Sequence, residues 1–171
     1  MLQGQAARSE GETGGKLPGN VPDDCHSNVR EIVDYWVRIH PETGLPGRQH
    51  FDPLEVPRLL PNIRLLDVVG SPQRFRIRLM GTRLREIFGA EQTGRWLAEI
   101  FSNLDGSLTH IELLKVVDTK RPRWRRGKPA LDIEKDFLDM ERVYLPFARD
   151  GENVDIILTY LLCIDSAGNV Y

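Results

Sequence analysis

Apolar residues recur at every second position between Phe75 and Leu79, with arginines between them. This period of two predicts a β-strand that has one buried and one solvated face. Shorter apolar runs bounded by turn residues predict further strands, and Asp150-Gly151 predicts a hairpin between the last two. The predicted strands cover residues 63–69, 75–79, 123–126, 142–147 and 155–164.

Apolar residues at helical spacing predict a helix over residues 28–40, with its cap at Ser27 or Asn28. Short helices are predicted to begin at Thr82 and after Thr93-Gly94, and a longer one covers residues 108–119. On this longer helix, the residues expected to turn inward are Ile111, Leu114 and one of Leu113 and Val117.

Strands on both sides of a helical middle predict an α+β domain. We expect a five-stranded antiparallel sheet with helices on one face and an additional N-terminal helix. One domain should extend over residues 28–171, with its core at about 45–165. Residues 1–27 contain few large apolar groups and should form a flexible leader.

Composition excludes several classes of protein. A net charge of −2 and a pI of about 6.1 give no overall attraction to nucleic acid or to an anionic membrane. No segment approaches the roughly 20 apolar residues that span a bilayer. Cys25 and Cys163 lie in unlike settings, so we expect no disulfide, a reducing compartment and a cytoplasmic location.

Six short tracts of this chain resemble the bacterial family of stand-alone PAS-like proteins, over roughly residues 30–165. The tracts are Leu45-Pro46-Gly47-Arg48, Asp52-Pro53, Leu60-Pro61-Asn62-Ile63, Arg78-Leu79-Met80-Gly81-Thr82, Thr93-Gly94-Arg95, and Tyr144-Leu145-Pro146-Phe147 with Asp150-Gly151. The resemblance implies the PAS fold and a sensory or regulatory module of signal transduction. It also implies dimerisation and a small ligand held between sheet and helices, with no catalytic residues to carry over.

A ligand pocket would be lined by the apolar residues expected on the helix-covered side of the sheet. The same residues would equally make a filled core, because only volume separates a core from a pocket of this composition. Of the neighbours Thr159 and Tyr160, one should face inward, and the sequence leaves open which. The candidate lining is Ile77, Leu79, Leu84, Ile87, Phe88, Trp96, Phe101, Ile111, Leu114, Val143, Leu145 and Phe147.

The apolar face of the N-terminal helix has two interpretations. It can pack on a second copy of the chain and make a homodimer, with Trp36 as the anchor, or it can cover its own domain. The face consists of Val29, Ile32, Val33, Trp36 and Val37.

The sequence shows no catalytic set and no metal site. His40 and His50 make at most a loose pair, and the acidic stretch 132–141 is best explained as solvated. We therefore expect a non-enzymatic protein with an unidentified signalling partner and an unknown cofactor, if any. An enzyme whose site is not visible in the sequence stays an alternative.

The segment from Lys120 to Lys128 contains six basic residues and Trp124. Basic groups with an aromatic residue between them can bind a nucleic-acid strand or an acidic protein. The simpler explanation is an exposed connection between helix and sheet, and we rank nucleic acid below it.

Overall fold

The computed structural model describes residues 18–129 and 139–171. Three short 3-10 turns, at Arg48–His50, Pro53–Glu55 and Leu60–Asn62, precede the sheet. In chain order the helices and strands are α1 Ser27–Arg38, β1 Ile63–Val69, β2 Arg74–Met80, α2 Thr82–Phe88, α3 Leu97–Ile100, α4 Leu108–Thr119, β3 Arg123–Gly127, β4 Asp139–Phe147 and β5 Ile156–Ile164.

The five strands form one antiparallel sheet in the order β2-β1-β5-β4-β3. This confirms the predicted fold class. The register places Arg64 opposite Thr159, and Thr159 opposite Tyr144 on the next strand. Since directly opposed side chains share a face and neighbours along a strand alternate, these pairs assign every strand residue to one of two faces.

The inner face, which carries Arg64, Tyr144 and Thr159, is covered by the helices that follow β2. Glu112 of α4 pairs with Arg123 on this face at 2.5 Å, and the ring of His110 meets Phe75 edge to face at 6.1 Å. The outer face lies on the other side of the sheet and carries the alternate residues.

Helix α1 covers the outer face. Its Trp36 donates its indole N–H to the carbonyl of Pro146 at 2.9 Å, and its Asn28 side chain hydrogen-bonds the hydroxyl of Tyr160. The helix is amphipathic, so burying one face against the sheet removes that apolar stripe from water. Its cap is His26, whose Nδ1 accepts from Asn28 N at 3.1 Å, one residue before the predicted cap positions.

Glu141 of β4 connects α1 and the edge strand β3 to the sheet. Its carboxylate is fully buried on the outer face. One oxygen accepts from the backbone N–H of His26 at 2.9 Å and from the indole N–H of Trp124 at 3.0 Å, and the other accepts from Arg126 Nε at 3.0 Å. Charge-assisted bonds of this kind are about twice as strong as neutral ones.

Residues 18–26 pack along β3, which corrects the expected leader of residues 1–27. Asn20 exchanges two hydrogen bonds with the backbone of Trp124, at 3.0 and 2.7 Å. Val21 and Cys25 are buried. These two apolar side chains and one amide order a stretch whose composition predicts a leader. Residues 1–17 lie outside the described part of the chain.

The proline-rich segment, residues 41–61 with five prolines, is hydrogen-bonded to the last hairpin. Leu45 N donates to Gly151 O at 2.8 Å, and Ala148 N donates to Pro46 O at 2.9 Å. Gly44 has φ +80°, and a Cβ there would lie 2.5 Å from Gly151 O, so the close approach requires glycine.

Helix α4 has the predicted bounds and buries Leu113, with Leu114 partly buried, as predicted; the prediction is wrong for Ile111. Thr109, Glu112, Leu113 and Val116 are buried, whereas Ile111 is 38% exposed. The polar pair Thr109 and Glu112 conceals this stripe in the sequence. Because Glu112 is neutralised by Arg123, the helix can turn that carboxylate toward the sheet.

Candidate ligand site between the sheet and the helices

The predicted pocket lining is divided between the two faces of the sheet. Val143, Leu145 and Phe147 share the outer face with Glu141, because they alternate with Tyr144 and Arg142 along β4. Phe51 of the proline-rich segment packs edge to face on Phe147 at 6.3 Å, on the side of α1. These three side chains therefore belong to the core beneath α1, which corrects their assignment to the ligand side.

A bulge separates Ile77 from Leu79. Leu66 pairs with Ile77 and Leu65 pairs with Leu79, so one extra residue, Arg78, is inserted in β2. Ile77 consequently lies on the inner face and is buried, whereas Leu79 lies on the outer face and is 46% exposed. A strict period of two predicts the same face for both, and the bulge makes that prediction wrong.

The helical members of the predicted lining are placed differently from one another. Trp96 lies against the edge of β2, with the guanidinium carbons of Arg74 and Arg76 4.0 and 5.4 Å from its ring centre. These arginines project from the outer face, so Trp96 does not line the inner side. Ile111 is exposed, Leu84 and Phe101 are buried, and Ile87, Phe88 and Leu114 are partly buried against the core.

The inner face contains polar side chains that the apolar prediction omits, apart from Thr159. Arg64, Tyr144 and Thr159 are cross-strand neighbours, and Arg142 precedes Tyr144 by two positions on the same face. Arg125 of β3 lies directly opposite Arg142. We call these five residues the inner-face polar cluster. Thr159, not Tyr160, is the residue that faces inward.

Several polar atoms of this cluster are buried without a hydrogen-bond partner. They are the Nε atoms of Arg64, Arg125 and Arg142, one terminal nitrogen of Arg125, and Oγ1 of Thr159. Arg142 satisfies part of its fork by donating to the carbonyls of Gly127 and Lys128 at 3.3 and 3.4 Å. Buried polar groups are nearly always paired, so several unpaired ones on one face require an explanation.

The arginines of the cluster are also without acidic partners in the described part of the chain. None of the ion pairs there involves Arg64, Arg125 or Arg142. Burial is the main cause that lowers the pKa of Arg64 to about 10; Tyr144 opposes this shift and the charge of Arg142 adds to it. Burial likewise lowers the pKa of Arg142. Counted over residues 18–129 and 139–171, the site is therefore electropositive.

Arg123 lies on the same face, two residues before Arg125 on β3. Its charge is neutralised by the carboxylate of Glu112. Its hydrogen bonds to the Glu112 carboxylate raise its pKa above the usual range. Glu112 in turn also binds Lys115 at 3.5 Å. Among the described residues, one arginine of this face thus has a carboxylate partner and its neighbours have none.

The outer face has a groove of about 370 Å³ between the proline-rich segment and the β1–β2 ladder. Its walls are mostly apolar and include Phe51, Pro61, Leu65 and Leu79. Leu54, next to the groove residue Pro53, is 83% exposed.

The residues proposed for the dimer interface lie mainly in the core of a single chain. Val29, Ile32, Val33 and Trp36 are buried against the outer face, and Val37 is about half exposed. Because α1 covers its own sheet, four of the five have no surface left for a second copy in this arrangement.

The basic segment 120–128 contains the edge strand β3, and most of its charges are paired. Arg123 binds Glu112, Arg126 binds Glu141, and Lys128 lies 3.2 Å from Asp139. This pairing across to neighbouring elements reduces the positive surface that a nucleic-acid strand would contact. Of the acidic stretch, residues 132–138 lie outside the described residues.

The two loop histidines have separate structural roles. The Nδ1 atom of His40 lies 2.8 Å from the Trp36 carbonyl, and Nδ1 of His50 accepts from Gly47 N at 2.9 Å. Within residues 18–129 and 139–171, no three metal-ligating side chains come together. The same residues contain no helix with the length and apolar character that crossing a bilayer requires.

Comparison with known sequences agrees with the fold. A model of the PAS domain family matches residues 25–162, which is most of the chain. A search of curated proteins finds no match.

Proposed function

Since the chain belongs to the PAS domain family, whose members are sensory and regulatory modules, we propose that it binds a small molecule between the inner face and helices α2 to α4. In this proposal the protein is a non-enzymatic, cytoplasmic module, and it passes the bound state on through contacts with protein partners. Both cysteines are buried, and they lie in unlike settings of the sequence, which fits a reducing compartment.

The observation that carries the proposal is the inner-face polar cluster. A module whose helices merely covered a core would gain stability from apolar side chains at these positions. Instead Arg64, Arg142 and Thr159 are each at most 4% exposed and keep unpaired polar atoms. Such groups are expected where a ligand supplies the missing partners.

We further propose that dimerisation or partner binding uses the outer-face groove rather than the apolar stripe of α1. The exposed side chains of Leu54 and Leu79 beside this groove support the choice, because each would lose water-exposed apolar area in a contact. A ligand that prefers one arrangement of the two layers would shift the population of the binding-competent form.

Native mass spectrometry of protein purified from its own host tests ligand binding. We expect an additional mass of a small molecule that is lost on denaturation. An unmodified chain mass, together with no thermal response in a metabolite screen, would contradict the proposal.

Sedimentation velocity tests the contact surface. We expect a concentration-dependent dimer, weakened at least tenfold by L79D in the groove. V37D, which places the same charge at a half-exposed position of α1, is the matched control and should leave association unchanged. A monomer at every concentration would refute dimerisation, and equal effects of the two variants would refute the groove as its site.

A further inference from the structure

The inner-face polar cluster contains three positively charged side chains on one face of the sheet. Its three guanidinium groups come from three strands of the sheet: Arg64 lies in β1, Arg142 in β4 and Arg125 in β3, and β5 separates β1 from β4. Arg125 and Arg142 are a directly opposed pair, and Arg142 is near enough to Arg64 to lower its pKa. Three like charges meet in one buried region.

The fold does not stabilise this arrangement with its own described carboxylates. Glu112 is the buried acid of the inner face, and it is already bound to Arg123 and Lys115. Glu141, the next residue along β4 from Arg142, points to the opposite face. Like-charged guanidinium groups repel one another and lose hydration on burial, so an anion bound among them would offset both costs.

The chemistry of the donor groups indicates which class of anion the site would bind. Guanidinium forks bind planar or tetrahedral oxoanions through paired N–H···O bonds. Thr159 and Tyr144 lie between the arginines. The hydroxyl of Thr159 adds a hydrogen-bond donor, and the ring of Tyr144 adds an uncharged surface. The same face continues into apolar Leu66 and Ile157, which suit a carbon skeleton rather than a free inorganic ion.

We infer that the inner-face polar cluster binds the oxoanion end of a small organic molecule carrying at least two negative charges, a dicarboxylate or a phosphate ester, through Arg64, Arg142 and Thr159. This inference rests on the proposed ligand-binding function and specifies the class of ligand. Arg125 approaches the same anion from the edge strand.

The test uses the thermal unfolding of the full chain with succinate and inorganic phosphate as probes. Each is titrated at constant ionic strength set with NaCl, and succinamide serves as the neutral analogue. We expect the Tm to rise by about 5–10 °C at a hundredfold excess over Kd and to keep rising with the logarithm of the probe concentration. The probe that acts separates carboxylate from phosphate recognition.

Two variants and a control locate the effect. R64M and R142M keep side-chain length but remove the charge, and both should abolish the rise. Without anion, each should unfold at or above the wild-type Tm, because an uncompensated buried charge is removed. R76M is the control: Arg76 is a half-exposed arginine on the outer face, paired with Asp67 at 3.0 Å. It should leave the anion response unchanged.

Three outcomes would overturn the inference, and they differ in their consequence for the proposed function. A native adduct that is uncharged and persists in R64M contradicts the anion while leaving ligand binding intact. No adduct and no response to any probe contradicts both. If the triple variant D132N/E134Q/D136N lowers the Tm and creates an anion response that the wild type lacks, the chain's own acids are the counterions, and the inference fails.

Discussion

Replacing Glu141 by glutamine should weaken the attachment of β3 to the sheet without changing the volume of the core. Glutamine has one oxygen and one amide group, so one pair of donors loses its acceptor in either orientation. The less costly orientation keeps His26 N and the Trp124 indole and turns the amide toward Arg126. Arg126 is 42% exposed and regains water, which reduces the loss.

The expected loss for E141Q is roughly 2–3 kcal/mol of unfolding free energy. Two charge-assisted bonds of about 1.5–3 kcal/mol each are removed, and the hydration of Arg126 offsets part of that sum. Urea unfolding followed by tryptophan fluorescence measures the loss, and amide exchange along β3 reports its local detachment.

Asp139 provides the matched control for E141Q. It lies two residues earlier on the same strand and face, but its pair with Lys128 is more than half exposed on both sides. D139N should therefore cost no more than about 0.5 kcal/mol. If E141Q and D139N unfold within about 0.5 kcal/mol of each other, Glu141 does not hold the layers together and the reasoning is refuted.

Three further changes test other parts of the fold. Burial raises the pKa of Tyr160 from 10.0 to about 12, so its contribution to the free energy of unfolding is present below pH 10 and is lost as the pH rises toward 12. Urea titrations should show wild type losing up to about 2.7 kcal/mol more than Y160F over that range. Parallel curves for the two proteins would contradict this. G44A should cost about 2–4 kcal/mol because its Cβ meets Gly151 O, whereas G168A, with φ +83° but open space, should cost about 1–2 kcal/mol; equal costs would show that backbone strain alone matters. T159V removes an unpaired buried hydroxyl and should stabilise the ligand-free protein by about 1 kcal/mol in thermal unfolding, and a loss of stability would indicate a partner for Oγ1.

The sequence predicts the order of elements well because periodicity is a local property. The β2 strand and α4 are visible in it for that reason, and α4 has the predicted bounds. Which side of an element is buried depends on partners far along the chain. The bulge at Arg78 reverses Leu79, and the pair formed by Glu112 and Arg123 turns α4 onto a partly polar stripe.

The candidate site was harder to predict than the fold. Arg64 and Arg142 stand in apolar runs of buried strands, where a search for apolar lining passes over them. The sequence does contain one signal, the alternation of side chains along a strand. It places Arg142 and Tyr144 on one face of β4 and Val143 on the other, but the pairing with β5 is needed to say which face is which. A single sequence contains the alternation but not the register.

Consecutive residues of β4 serve opposite sides of the protein. Glu141 fastens the N-terminal layer, and Arg142 belongs to the polar cluster on the other side. One planar peptide unit joins these two residues. A rotation of the strand about its axis that reorients one side chain must therefore reorient the other. An occupant that draws the Arg142 guanidinium inward would thus tilt the Glu141 carboxylate away from the amide of His26. The hydrogen bond between Glu141 and His26 is therefore the contact through which a molecule bound on the inner face would change the position of α1.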